Sequence, residues 1–465
     1  MIAGAGAREA GLVRSYLIAV LAAATLASGT SHAGTAPATD TEPEVRSWML
    51  PPESGPFWGL LDLDRARGST PGLTQVDSLT GNWGGYRDRI RDEYGLALAG
   101  DYTSEVAGNP VGGRRQGATY THNIGLALFA DLDKLLGLHD TAFLVSASNR
   151  AGSSLSKDYV GNVYAVQQIY GGQTTRLVQL ALGKAFFRRK LRIVAGRLNG
   201  LDDFIASPLY CNAQNLAFCG NPLSIPSDIG ISSYPNTMWG ARVRWEPNAL
   251  WYAMGGVYDA VAGFRENEFH GVDFSIRHNS GVVGIMETGV APEQIEIVPW
   301  HLPGRVKIGG YYDTEPLKHF GTGLSERGTW GTYVGVDQKI WGEDSPTGAQ
   351  GLSVFAAFHH APADVNPQTN FVDCGAVYVG LVPGRDSDVT GLYFAHGRFS
   401  DELRASQRAA GRPGQDHETV LELNYRWNVL RWFYLQPDVQ GIINPGAAHQ
   451  LDDALVLALQ FGVPF

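Results

Sequence analysis

Charged side chains set in alternation with apolar ones are the feature of this 465-residue chain that comes nearest to a chemistry. In 241–246, Arg242 and Arg244 alternate with Ala241, Val243 and Trp245. In 305–313, Arg305, Lys307, Tyr311 and Asp313 alternate with Val306, Ile308 and Tyr312. Asp101 and Glu105 lie on a first alternating stretch that opens near Leu96, Arg114 and Arg115 sit among glycines, and Arg197 ends a stretch just before a long loop. A guanidinium donates hydrogen bonds in a planar fork, and carboxylates accept them. Such a set can replace part of the water around a polar solute and still release it.

Other chemistries find little support. There is no G-x-S-x-G elbow and no phosphate-binding Walker loop. The glycine-rich 108–117 stretch does not match a dinucleotide fingerprint. His359-His360 and His396 lack a third ligand at a telling spacing, so no metal is expected, and Asp202-Asp203 reads as a solvated loop pair. No cofactor and no catalytic residue are expected. The formal net charge is -10 with no long basic run, which argues against nucleic acid as a partner. Of the 3 cysteines, Cys211 and Cys219 are close enough in sequence to be the favoured disulfide, leaving Cys374 as the odd thiol.

The alternation names the element that must hold these side chains. Successive residues of a strand point to opposite faces. In 417–427, Leu421, Leu423, Tyr425 and Trp427 share one face, and Glu418, Glu422, Asn424 and Arg426 the other. Leu455, Leu457, Leu459, Phe461, Val463 and Phe465 alternate to the chain end. Stretches of 9–12 residues with aromatics at their ends suit strands that cross a bilayer in a tilted barrel. The 58 Gly, against a usual ~7%, fit many tight turns. No stretch after the first apolar segment approaches the ~20 apolar residues of a membrane helix.

That first segment reads as a cleavable signal peptide over 1–33: Arg8 and Arg14, then Leu17 to Leu26, then Ser31-His32-Ala33. Residues 34–95 read as a periplasmic extension, proline-broken to 79, with a short polar helix or a solvated loop over 82–94. Residues 96–465 read as an all-β, antiparallel transmembrane barrel of about 16 strands, within a count of sixteen to eighteen. Short turns fall at 246–248 and 428–430, and long loops at 199–236, 361–370 and 400–415. Strand direction conflicts between about Asp259 and Pro303, where 293–299 stays unclassified.

Several blocks resemble one family. LTGNWGGYRDRIRDEYG at 79–95, GNPVGGRRQGATY at 108–120, CNAQNLAFCGNP at 211–222, PNTMWGARV at 235–243 and LQPDVQGIINPG at 435–446 are similar, in order, to blocks of the carbohydrate-selective porins, the OprB-like family. Gly441 stands where that family commonly has an aromatic. The resemblance implies passive, selective diffusion of small, glucose-like carbohydrates through a narrowed lumen in a Gram-negative outer membrane. It implies no nucleotide and no coupled ion. Phe465 resembles the terminal signal read by the barrel-assembly machinery, and lipid and lipopolysaccharide would surround the barrel, alone or as a homo-oligomer. A general or ion-leaning porin of the same fold is the alternative. Asp101, Glu105, Arg114, Arg115, Arg197, Arg242, Arg244, Arg305 and Lys307 are the expected pore-lining set. Taken singly, each reads better as a residue that solvates a wide lumen, while some subset is expected to form the constriction.

Overall fold

The computed structural model describes residues 78–465 except 202–203, 220–223, 249, 261–269, 276–280, 291–301, 303 and 344–349. The expected signal peptide, most of the extension, Asp202-Asp203 and 293–299 lie outside the described residues.

Strand alternation produces a closed antiparallel barrel in which each of sixteen strands pairs with its sequence neighbours and β1 closes on β16. The first half comprises β1 (Leu96–Gly113), β2 (Gly117–Asp131), β3 (Thr141–Gly152), β4 (Thr174–Phe186), β5 (Leu191–Leu198), β6 (Met238–Trp245), β7 (Trp251–Asp259) and β8 (Val282–Val290). The second comprises β9 (Gly304–Lys318), β10 (Ser325–Gly342), β11 (Gly351–His360), β12 (Gln368–Val379), β13 (Val389–Phe399), β14 (His417–Leu430), β15 (Phe433–Ile443) and β16 (Asp452–Pro464). The parity conflict resolves into β7, β8 and β9, and the difficulty has a physical source. The β8–β9 connection lies at the end of the barrel where most turns are short, yet it spans 291–303. Two boundaries shift. Residues 368–370 belong to β12, and β14 runs through 428–430 to turn at 431–432.

The faces divide as the alternation demands. Leu421, Leu423 and Trp427 on β14 and Leu455, Leu457 and Leu459 on β16 are exposed, while Glu418, Val420, Glu422, Asn424 and Arg426 are buried. An exposed apolar belt around a closed barrel is unstable in water and suits lipid. Aromatics rim it at both ends, with Trp245, Trp341 and Trp427 at one and Tyr120, Tyr312 and Trp330 at the other, all exposed.

The barrel closes near the chain terminus. Gly100 and Phe465 exchange both backbone hydrogen bonds, at 3.1 and 2.8 Å. The Phe465 ring lies where a side chain on residue 100 would be: a Cβ there would meet it at 2.5 Å, so a larger residue would have to displace the ring. Against this seam sits α1 (Tyr86–Tyr94), the polar helix over 82–94 that the sequence left open, which ends at the left-handed Gly95 (φ 69°). Arg87 reaches from it into the seam. Its Nη1 donates to Ser78 Oγ (3.2 Å) and Thr80 Oγ1 (3.0 Å), and its Nη2 donates to Leu98 O (2.7 Å) and Phe465 O (3.5 Å). The guanidinium also stacks 4.8 Å from the Trp83 ring.

Arg87→Ala should therefore loosen the closure without altering strand order. Losing these charged hydrogen bonds should cost about 2–3 kcal/mol, read as a lower urea midpoint for the compact, heat-modifiable band. An unchanged midpoint would show that α1 merely rests on the seam.

Candidate functional site: a narrowed lumen

Two connections at the end of the barrel far from α1 turn inward, 153–173 between β3 and β4 and 199–237 between β5 and β6. The sequence marked the second only as a long loop and did not single out the first. Inside a closed barrel their irregular backbone has no ladder to join, so its N–H groups must find other acceptors. The wall supplies carboxylates. Glu418 on β14 accepts the N–H groups of Val163 (2.8 Å), Tyr164 (2.9 Å) and Gly446 (2.7 Å). Four residues along the same face, Glu422 accepts those of Gln214 (2.6 Å) and Asn215 (2.9 Å). Glu287 on β8 accepts Ile205 N–H (2.6 Å) as well as the hydroxyls of Tyr252 (2.8 Å) and Tyr333 (2.9 Å). The two segments also bind each other, Gln168 N–H to Gln214 O (2.9 Å) and Leu216 N–H to Ala165 O (2.8 Å).

Apolar side chains complete the plug. Phe204 packs edge-on against Tyr258 (centroids 6.4 Å), Tyr210 against Phe355 (5.0 Å) and Tyr164 against Phe371 (5.4 Å). Each pair joins a segment residue to a wall residue, so the barrel interior holds a true hydrophobic core on the side of β7 and β11 to β13. Cys211 and Cys219 are disulfide-bonded across one turn of the second segment (Cα–Cα 4.4 Å), and Cys374 is free on β12. His359 is buried between the segment and the wall, with Nδ1 2.8 Å from Ser224 Oγ and Nε2 2.8 Å from Tyr311 Oη. Asp228, at the end of a short helical turn, accepts Gln368 N–H (2.9 Å), and burial pushes its carboxyl well above the ordinary carboxylate range.

The expected pore-lining residues fall into distinct places. Arg242 and Arg244 share the inward face of β6, and Arg244 pairs in register with Arg192 of β5. Arg244 Nε donates to Glu246 Oε1 (2.6 Å) while its guanidinium stacks 4.2 Å from the Tyr252 ring. Asp101 and Glu105 share the inward face of β1, where Glu105 accepts Gln460 Nε2 (2.7 Å) and Asp101 accepts Thr103 Oγ1 (3.3 Å). Arg305 and Lys307 also face inward, but both are committed. Arg305 Nη2 donates to Asp337 Oδ2 (2.9 Å) and Ala206 O (2.8 Å), and Lys307 Nζ donates to the same two groups.

Three residues of the set lie elsewhere. Arg114 and Arg115 do not enter the lumen. The β1–β2 turn is too tight to fold in, and the two side chains clamp the rim, donating to Lys157 O (3.3 Å) and Asp158 O (3.1 Å). Arg197 shares the outward face of β5 with Ile193 and Ala195. There it lies between the Trp239 and Phe274 rings (5.9 and 5.8 Å) and donates to Asp273 O (2.7 Å).

Sequence reading passed over Arg150 on β3 and Arg176 on β4, both buried. Both hold the infolded segments, Arg150 Nη1 donating to Gln168 O (3.4 Å) and Arg176 Nη1 to Asn236 Oδ1, and with Arg192, Arg242 and Arg244 they make β3 to β6 rich in inward arginines. Glu287, Asp337, Asp373, Glu418, Glu422, Asp438 and Glu105 lie on β8 to β15 and β1, and all are buried. Arginines thus cluster on β3 to β6 and most buried carboxylates on β8 to β15 and β1, and the infolded segments bond to both sides, to Arg150 and Arg176 as well as to Glu418, Glu422 and Glu287.

Glu422→Gln tests this anchoring. Its amide would turn a donor toward one of two backbone N–H groups and forfeit at least about 1.4 kcal/mol. Exchange at Gln214 and Asn215 should quicken roughly tenfold or more, while strand amides of β14 keep their protection. Unchanged exchange at both would show that the segment is held without Glu422.

Known proteins share this architecture. Porin B of Pseudomonas aeruginosa is 29% identical over 421 residues, covering 83% of this chain and 91% of the relative. A putative porin, QuiX, of Acinetobacter baylyi is 25% identical over 414 residues, covering 83% and 93%. The high-pH structure of OprB from Pseudomonas putida superposes with a TM-score of 0.77 at 27% identity, covering 84% of this chain and 99% of that one. The family model for the carbohydrate-selective porins, OprB family, matches residues 115–465. With that match spanning most of the barrel, this chain belongs to the OprB family of carbohydrate-selective porins, proteins of the outer membrane.

Proposed function

We propose that the chain is a passive channel for glucose-sized, uncharged carbohydrates and catalyses no reaction. The observation that carries this reading is the narrowed lumen, in which the infolded segments are held by wall carboxylates and by Arg150 and Arg176, while Arg242 and Arg244 share the inward face of β6. A sugar presents many hydroxyl oxygens and no charge. Guanidinium groups can donate to those oxygens, yet such bonds are weak enough in net terms to break as the solute moves on. On this reading entry is driven by the solute gradient alone, with neither a cofactor nor a coupled ion.

The same reading takes residues 1–33 as a cleaved export signal and Phe465, packed on Gly100 at the seam, as the group the assembly machinery reads. Lipopolysaccharide would contact the outward aromatic rim at the far end.

Liposome swelling with mono-, di- and trisaccharides should show entry that falls steeply beyond monosaccharides. Planar-bilayer recordings should show modest ion selectivity; a strong ion preference with no preference for sugars over equally small solutes would replace this reading by a general porin. The double variant Arg242→Ala, Arg244→Ala should raise small-ion conductance. It should lose about 1 kcal/mol of discrimination between glucose and a non-sugar of equal size, roughly fivefold in relative rate. Unchanged conductance and preference would move the constriction away from β6.

A further inference from the structure

The far rim of the barrel carries a group of side chains with no part in the passage. Asp416 ends the β13–β14 connection, His417 opens β14, and His449 lies in the β15–β16 connection. Asp416 Oδ2 is 3.5 Å from His417 Nδ1 and 3.6 Å from His449 Nε2, and the three donor atoms all lie within 4.8 Å of one another. We propose that Asp416, His417 and His449 form a binding site for a divalent transition-metal ion of the Zn²⁺ class.

The separations favour this over a simple ion-pair cluster. They are too long for hydrogen bonds. An ion holding two imidazole nitrogens and a carboxylate oxygen at about 2.1 Å in a tetrahedron sets its donors about 3.4 Å apart. Two of the three edges are already close to that length, and the third, within 4.8 Å, needs the rings to close by at most about 1.4 Å. The donor set, two imidazoles and one carboxylate, suits Zn²⁺ better than the all-oxygen ions Ca²⁺ and Mg²⁺. Water can take the fourth position, because His449 is exposed on the surface.

The backbone around the site is held in place. Asp416 N–H donates to Ala447 O (2.6 Å), His449 N–H to Asn444 Oδ1 (2.7 Å), and Asn444 Nδ2 to His417 O (2.6 Å). Asn444, Ala447 and His449 all adopt left-handed backbone (φ 57°, 63° and 53°), a conformation costly outside glycine that brings the His449 ring over Asp416. The other carboxylate oxygen, Asp416 Oδ1, meets Arg404 Nη1 at 3.1 Å, which orients Oδ2 toward the rings. Asn444 Nδ2 also stands 3.4 Å from His449 Nε2 and must yield that contact to the metal. A bound ion would tie two far-end connections together directly above Glu418, which holds both Gly446 and the first infolded segment.

The test is calorimetric titration of ZnCl₂ into the detergent-purified mature chain, free of any affinity tag. One Zn²⁺ per chain should bind saturably. His449→Ala and Asp416→Asn should each weaken it at least tenfold, with the heat-modifiable band retained, and Ca²⁺ in excess should not compete. His139→Ala, which alters the separate exposed pair of His139 with Asp133, should leave binding unchanged. Absence of saturable binding, or wild-type affinity in both His449→Ala and Asp416→Asn, would overturn the assignment.

Discussion

The carboxylate that accepts a loop's backbone N–H is the interaction on which this molecule depends. A closed barrel satisfies its own strands, but anything folded into its lumen brings polar backbone with no ladder to join. Glu418, Glu422 and Glu287 meet that need from three places on the wall. Each carboxylate is buried, which is costly unless its oxygens are hydrogen-bonded on several sides. The loop N–H groups supply those bonds, so wall and loop each remove the other's penalty. Removing either partner leaves a buried unpaired group rather than a neutral gap.

From this pairing the asymmetry of the lumen follows. Carboxylates that hold backbone cannot also present free charge to a solute, so the acidic side becomes scaffold. Arg305 and Lys307 show the same principle with the sign reversed, since both are spent on Asp337 and Ala206 O. Arg150 and Arg176 are scaffold too, bonded to Gln168 O and to Asn236, and the candidate surface for a solute is the inward face of β6, where Arg244 is oriented by Glu246 and by the Tyr252 ring. A side chain held in this way is pre-organised, and it can donate to a passing hydroxyl without first paying to order itself.

This division also explains how much could be read beforehand. Strand faces were legible on β6, β9, β14 and β16 because period-two alternation is a local signal, and the terminal Phe465 is local too. Whether an inward charge faces solute or scaffold is not local. Val163 and Glu418 are 255 residues apart, and nothing near Glu418 announces that a loop will reach it. Arg197 shows the limit at closer range. Its position at a strand end suggested the lumen, but its parity with Ile193 and its two aromatic neighbours turn it outward. The His417–His449 approach is equally hidden, because two connections that the chain order separates meet only once β14 to β16 have paired.

The disulfide fits the same logic from the side of chain entropy. The segment 199–237 is anchored at Ile205, at Gln214 and Asn215, and again at Gly230, whose N–H reaches Asp313 Oδ2 at 2.9 Å. Past Asn215 the segment meets the wall again through Phe218 against Tyr393 (centroids 5.3 Å), Ser224 Oγ at His359 Nδ1 (2.8 Å) and Asp228, which accepts Gln368 N–H (2.9 Å). The bond between Cys211 and Cys219 closes the loop that carries the Gln214 and Asn215 anchors. A cross-link restricts the unfolded chain, so covalent and polar restraints act together on the loop that Glu422 holds. A lumen narrowed by irregular backbone can keep a fixed width only if no stretch of it is left without one or the other.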